Sequence, residues 1–262
     1  MSGRIGRLIR GIPGYAAAAG SFAARSGRAW GGPVSCAVEP ANVCNLRCPL
    51  CAAGAGLLKR PKGVMGAPEF ALLVKKLPQS VGTLYLWGQG EPFLAPGFID
   101  MVRFASELGF RAVTSTNGHF LDDAAGIAAC GLGTLIVSLD GATGETYESY
   151  RVGGDFRKVV EGVKGVAREK KRSGHGPKIV IQCVVNRVNE RECEAIRRIA
   201  SEAGADGTVF KTLQAASIAG GGEFLPDDDT LSRYRRTSDG RIVAERTGDR
   251  KSTRLNSSHG KL

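Results

Sequence analysis

The chain has 262 residues, 42% of them hydrophobic and 23% charged, with a formal net charge of +11. No apolar run reaches the roughly eighteen residues that a membrane-spanning helix needs. Most of the charge is terminal. Residues 1–33 carry five arginines and no acid, residues 249–262 carry four basic residues against Asp249, and the body keeps +3. A nucleic-acid partner is therefore not expected, because its surface needs basic residues clustered on a folded face. Seven cysteines, an odd number with three in one short loop, point to a reducing compartment such as the cytoplasm rather than to a disulfide framework.

In chain order, Met1–Arg10 is basic and Ile12–Ala24 is rich in alanine, superficially like a secretory signal. Gly11, Pro13, Gly14 and Gly20 interrupt the apolar run, and Arg25 and Arg28 follow it. Residues 1–33 are therefore expected to form a flexible or partly helical basic arm, able to make weak contact with an anionic lipid surface. Strand-like runs follow near 34–38, 83–87, 111–116, 134–138, 178–185 and 207–211. Helical stretches near 67–77, 97–109, 120–129, 155–172 and 188–203 alternate with them; the last carries an apolar stripe at Ile196, Ile199 and Ala200. The alternation predicts parallel βα units. Six of them predict an α/β fold, an incomplete (β/α)6 TIM-like barrel over residues 34–213, with its chemistry at the C-terminal ends of the strands.

Cys44-Asn45-Leu46-Arg47-Cys48-Pro49-Leu50-Cys51 places three thiols in one loop just after the first strand. Iron–sulfur clusters normally take four cysteines, so a set of three would leave one iron open to a substrate or cofactor. On the residues alone, a zinc knuckle completed by a distant His or Cys is the alternative, since zinc also favours thiolates. Cys36, Cys130, Cys183 and Cys193 lie in apolar or helical surroundings and read as small core residues. Three further segments fall at strand ends: Gly88-Gln89-Gly90-Glu91-Pro92, Ser115-Thr116-Asn117-Gly118 and Val137-Ser138-Leu139-Asp140-Gly141. In isolation, the first is a tight turn and the last a strand end with an Asx turn.

Taken together, these four segments resemble the radical S-adenosylmethionine superfamily, whose signature is Cys-x-x-x-Cys-x-x-Cys followed by a Gly-Gly-Glu-Pro segment and further strand-end motifs in this order. Gln89 stands where the family often has Gly. Glu145-Thr146-Tyr147-Glu148-Ser149-Tyr150-Arg151 is similar to the SPASM group, whose members carry a cysteine-rich C-terminal extension. The resemblance implies a 4Fe–4S cluster on Cys44, Cys48 and Cys51, with S-adenosylmethionine on the fourth iron. It implies reductive cleavage to a 5′-deoxyadenosyl radical, chemistry that belongs to the cofactor. Implied cofactor contacts are Leu50 on the adenine, Gly88, Gly90 and Glu91 at the methionine amine, Ser138, Asp140 and Arg151; Asn117 and Lys211 are expected at the same cavity. An external donor of flavodoxin or ferredoxin type is implied. So is hydrogen abstraction from a peptide, protein or small-molecule substrate. A zinc-stabilised scaffold and an iron–sulfur electron carrier are the alternatives from other classes.

Residues 214–248 are expected to begin a SPASM-like extension that stops before its own cysteines. Asp249–His259 back-translates into a common sequencing-adapter oligonucleotide, so residues 249–262 are expected to be non-native and the natural chain longer. Other catalytic classes have little to use. His175 sits in a Gly-rich loop, His119 lacks a Gly-x-Ser-x-Gly partner, and Gly220-Gly221-Gly222 precedes no Lys-Ser/Thr.

Overall fold

The computed structural model describes residues 2–214, 222–237 and 241–244; the tail 249–262 lies outside them. Helix α1 (Ser2–Ala23) leads into β1 (Ser35–Val38). Then follow α2 (Ala67–Lys75), β2 (Thr83–Leu86), α3 (Phe98–Glu107), β3 (Arg111–Thr116), α4 (Ala124–Ala129) and β4 (Thr134–Ser138). The body ends with α5 (Gly144–Tyr150), α6 (Phe156–Ser173), β5 (Lys178–Val185), α7 (Cys193–Glu202) and β6 (Gly207–Thr212). A two-stranded antiparallel hairpin, β7 (Tyr234–Arg236) with β8 (Ile242–Ala244), follows.

The six main strands are all parallel and stand in the order β1-β2-β3-β4-β5-β6, without β1 pairing to β6. Doubly wound sheets reverse strand order at a switch point and so place helices on both faces. Here the order never reverses, and right-handed crossovers put the helices that connect successive strands on one side. Strand alternation agrees. Leu84, Leu86, Ala112, Leu135, Val137, Ile179, Ile181, Cys183 and Phe210 join Phe70, Met101, Val163 and Ile196 of the helices in one core. Of the alternate residues, Tyr85, Ser115, Ile136, Gln182 and Val209 are exposed or half-buried. They form the second, helix-free face, the lumen of an open barrel whose C-terminal mouth carries the sequence motifs. The expected partial barrel is thus the observed architecture.

The expected helix at 120–129 starts later, at Ala124, because Asp123 caps it by accepting from the Gly126 N–H at 2.9 Å. The helix expected from 188 likewise starts at Cys193. Asn186 and Asn189 hold the preceding turn through an Asn186 N–H to Asn189 Oδ1 bond of 2.8 Å, the local competition that makes Asn a turn former. Helix α5, absent from the sequence reading, is set by a capping box between Thr143 and Thr146. The N-terminal arm is helical through to Ala23, with Pro13 inside it.

Tyr147 of α5 is fully buried, and among the described residues its hydroxyl meets no hydrogen-bond partner. An unsatisfied buried hydroxyl costs about 1–3 kcal/mol. Tyr147→Phe is therefore expected to raise stability by about 1 kcal/mol in denaturant unfolding; a loss of stability would reveal a partner for the hydroxyl.

Candidate functional site

The cysteine loop is tied down at both ends before any ligand is considered. Asn42 clasps the returning chain by donating to the Pro61 carbonyl at 2.8 Å and accepting from the Gly63 N–H at 2.7 Å. Beside it, the Glu91 N–H donates to the Val43 carbonyl at 2.8 Å. Gly90 lies so close to this strand end that a Cβ would sit 2.4 Å from the Ala41 carbonyl oxygen and 2.5 Å from that of Val43. The lack of a side chain is thus required by the cysteine loop itself. Gly88 lies against the Glu39 side chain; Glu39 accepts from the Gln89 N–H at 2.7 Å and pairs with Arg60.

Glu91 is 2% exposed. One carboxylate oxygen accepts from the Thr116 hydroxyl at 2.7 Å and from the Phe93 N–H at 3.2 Å, the other from the Asn117 N–H at 2.7 Å. Burial pushes its carboxyl above the usual range, and these hydrogen bonds hold the charged form against that trend. Both oxygens are engaged in joining the ends of β2 and β3, so Glu91 acts on the site by position. Asn117 continues the chain of contacts. Its amide donates to Asn45 Oδ1 at 2.7 Å and to Cys44 Sγ at 3.7 Å.

At the end of β4, Asp140 is fully buried; it accepts from Arg151 Nε at 2.5 Å and from the Val184 N–H at 2.6 Å. Burial opposes the Arg151 charge, but Asp140 and Cys48 outweigh it and keep the guanidinium protonated. Arg151 is thus held in a largely buried ion pair with Asp140. Ser138 ends β4 in register with Gln182, and among the described residues its hydroxyl makes no hydrogen bond. Lys211 is exposed, in register with Val184 and on the face opposite buried Phe210, hence on the lumen side. Half-buried Leu50 packs on a separate cluster of Tyr150, Leu213, Leu225 and Tyr234. The segment after β6 thus covers one side of the cysteine loop.

Sequence reasoning missed Asn45, Thr116 and Asn189. Asn189 donates to the Asp140 carbonyl at 3.0 Å and to that of Val184 at 3.0 Å. Polar residues beside strand ends were the available signal, but their partners lie far along the chain.

The donor set fits a cluster. Cys44, Cys48 and Cys51 share one loop with no His or acid among its residues, which suits iron–sulfur ligation. Cys44 Sγ accepts from the Leu46 N–H at 3.4 Å and from the Asn117 amide, the kind of N–H···S bond that sets cluster potentials. Burial pushes the Cys44 and Cys48 thiols up; the Leu46 N–H eases this at Cys44 and the Arg151 charge at Cys48. Among the described residues, no three His, Cys, Asp or Glu side chains converge as they would on one metal ion.

An open parallel barrel with three thiols at its mouth defines a metallocofactor-dependent α/β enzyme. Residues 38–200, more than half of the chain, match the Radical SAM superfamily. The chain belongs to the radical SAM superfamily, whose members use a 4Fe–4S cluster and S-adenosylmethionine. It is 28% identical over 207 residues to the Fe-coproporphyrin III synthase of Methanosarcina barkeri, covering 78% of this chain and 49% of that protein. It is 27% identical over 175 residues to the mycofactocin maturase MftC of Mycobacterium tuberculosis, covering 66% and 43%. The crystal structure of Streptococcus suis SuiB bound to S-adenosylmethionine shares the fold, with a TM-score of 0.61 and 16% identity over 76% of this chain and 44% of that one. The chain spans between a third and a half of the length of such curated relatives.

His119 serves the site from behind. Its Nε2 accepts from the Asp155 N–H at 2.8 Å, so the proton sits on Nδ1, which faces Asn117 Oδ1 at 3.0 Å. Burial, with Lys158 and Arg151, lowers its pKa against the opposing Asn117 bond and Asp155 charge. The folded state therefore binds this proton less readily than the unfolded chain, whose histidine titrates near 6.5. The contribution is complete above about pH 6.5 and falls as pH drops through the lowered value. Melting temperature measured against pH is expected to decline below about pH 6.5, and less steeply in His119→Gln; identical slopes would show that another group dominates.

Proposed function

We propose that this protein is a radical SAM enzyme of the SPASM-like group that acts on a peptide, protein or small-molecule substrate. The observation that carries the reading is the anchoring of one three-cysteine loop at the barrel mouth by Gly90, Glu91 and Asn117 together. Cys44, Cys48 and Cys51 would hold the cluster, and Gly88, Ser138, Arg151 and Leu50 would border S-adenosylmethionine, with Lys211 at the mouth end of β6. When bound, these groups supply reductive carbon–sulfur cleavage to methionine and a 5′-deoxyadenosyl radical that removes hydrogen from unactivated carbon.

The chain's own residues bind and orient. Gly90 permits close backbone approach, the Asp140–Arg151 pair fixes a cation beside Cys48, and the Ser138 hydroxyl offers a hydrogen bond toward the mouth. Leu50, backed by Tyr150 and Leu225, excludes water from one side. The enzyme needs an external one-electron donor of flavodoxin or ferredoxin type. Its odd count of seven cysteines, three of them in one loop, suits the reducing cytoplasm. A peptide substrate is supported by the likeness to SuiB, which has been crystallised bound to precursor peptide SuiA.

The test is anaerobic reconstitution with iron and sulfide, then dithionite reduction with S-adenosylmethionine. A paramagnetic resonance signal that shifts on adding the cofactor, with release of 5′-deoxyadenosine, is expected. A colourless zinc protein, or a cluster indifferent to the cofactor, would reject the reading. Cys48→Ala is expected to abolish the cluster absorbance. Ser138→Ala should keep the absorbance and weaken cofactor binding about 2- to 10-fold, the worth of one hydrogen bond; unchanged affinity would remove that contact.

A further inference from the structure

Helix α1 turns one face to the protein and leaves the other bare. On the inner face, a Cβ at Gly14 would sit 2.9 Å from Val34 Cγ1, and one at Gly20 would sit 3.2 Å from the Trp30 ring. Gly31 in turn lies against the Gly14 backbone and the Ala17 methyl group, and Ser21 is buried on the same side. On the outer face, Ile12 is 60% exposed, Tyr15 52% and Phe22 87%, and Trp30 beside Gly20 is 59% exposed. Ile12, Tyr15, Ala19 and Phe22 follow one another at steps of three and four residues, the repeat of a continuous helix stripe. In sequence, Ile5 and Leu8 extend the same spacing.

The charge carried by this segment has one sign. Residues 1–33 hold five arginines and no acid; Arg25 and Arg28 are exposed and meet no acidic partner among the described residues. We propose that α1 and Trp30 form a docking surface for an anionic lipid bilayer, with the helix lying in the headgroup plane. An apolar face with exposed aromatics, flanked by arginine, is the makeup of interfacial helices. A second copy of the chain would suit the stripe less well. It would oppose two all-positive faces, whereas helix pairs that associate in water use charges of both signs beside the seam. The helix also carries five glycines and Pro13, so its intrinsic helix propensity is low, and a surface that covers its apolar face would stabilise it.

The placement leaves the reaction mouth free. Residues 30–34 enter β1 from its N-terminal end, and Ser80, whose hydroxyl donates to the Pro33 carbonyl at 2.8 Å, stands just before β2 at that same end. The cysteine loop follows the opposite, C-terminal end of β1. A bilayer under α1 therefore meets the barrel on the side away from Cys44, Cys48 and Cys51.

The experiment is flotation of the full, cluster-reconstituted chain with vesicles of phosphatidylcholine mixed with phosphatidylglycerol, and with vesicles of phosphatidylcholine alone. Binding to the anionic vesicles, lost at high salt, is expected. Arg25→Ala and Arg28→Ala should each weaken it about fivefold, the worth of one cation near a charged surface. Phe22→Ser should weaken it about 10-fold or more, the worth of one buried aromatic side chain. Cluster absorbance should stay unchanged in all three variants. Trp30 fluorescence should shift to the blue with anionic vesicles, and Trp30→Phe should abolish that shift. Absence of binding, or equal binding to both vesicle types, would overturn the proposal. So would a concentration-dependent dimer, seen by sedimentation, that Phe22→Ser dissolves; that outcome assigns the stripe to a second copy.

Discussion

A carboxylate without water must be surrounded by donors, and Glu91 meets that constraint by gathering the ends of three segments. Its oxygens take the Thr116 hydroxyl and the N–H groups of Phe93 and Asn117, while its own N–H reaches the Val43 carbonyl. The end of β2, the end of β3 and the entry to the cysteine loop are thereby held in one network. Leaving any of these buried donors unpaired would cost about 1–3 kcal/mol, so the arrangement is strongly specified. Gly90 then brings the turn and the 41–43 backbone closer than any side chain would allow.

The same logic recurs on the other half of the mouth. Asp140, with no exposure, joins β4 to β5 through the Val184 N–H and to the end of α5 through Arg151. Removing one partner of a buried pair leaves an uncompensated charge, which costs far more than the pair contributes when intact. Asn189 completes this half by bonding the carbonyls of Asp140 and Val184. The two carboxylates thus act as struts behind the cysteine loop, and the groups left facing the mouth are thiols, a serine hydroxyl and a guanidinium.

Topology decides which side of the sheet is available to chemistry. A sequential order of parallel strands places the crossover helices, and with them most of the large buried apolar side chains, on one face. The other face is left to Tyr85, Ser115, Ile136, Gln182, Val209 and Lys211, a lumen of mixed polarity free of helices and open to a ligand. Past β6, the chain returns over Leu50 and Tyr150 with Leu225 and Tyr234, so one wall of the mouth is formed by residues outside the barrel repeat.

The sequence by itself determined the six strands to within about two residues, their parallel pairing, and the cysteine spacing, because period-2 and period-3.6 patterns and ligand spacing are local properties. It did not reveal α5, which is seven residues long, is set by a capping box from Thr143 and buries only Tyr147 and Tyr150. Nor did it reveal that Glu91 and Asp140 turn their oxygens to backbone and side-chain donors, or that Asn117 reaches Asn45 and Cys44 across 72 and 73 residues of chain. Those contacts join strand ends that only the folded sheet makes neighbours. Which carboxylates support and which groups face the mouth was therefore decided by tertiary structure, since burial and hydrogen-bond satisfaction arise from residues distant in the chain.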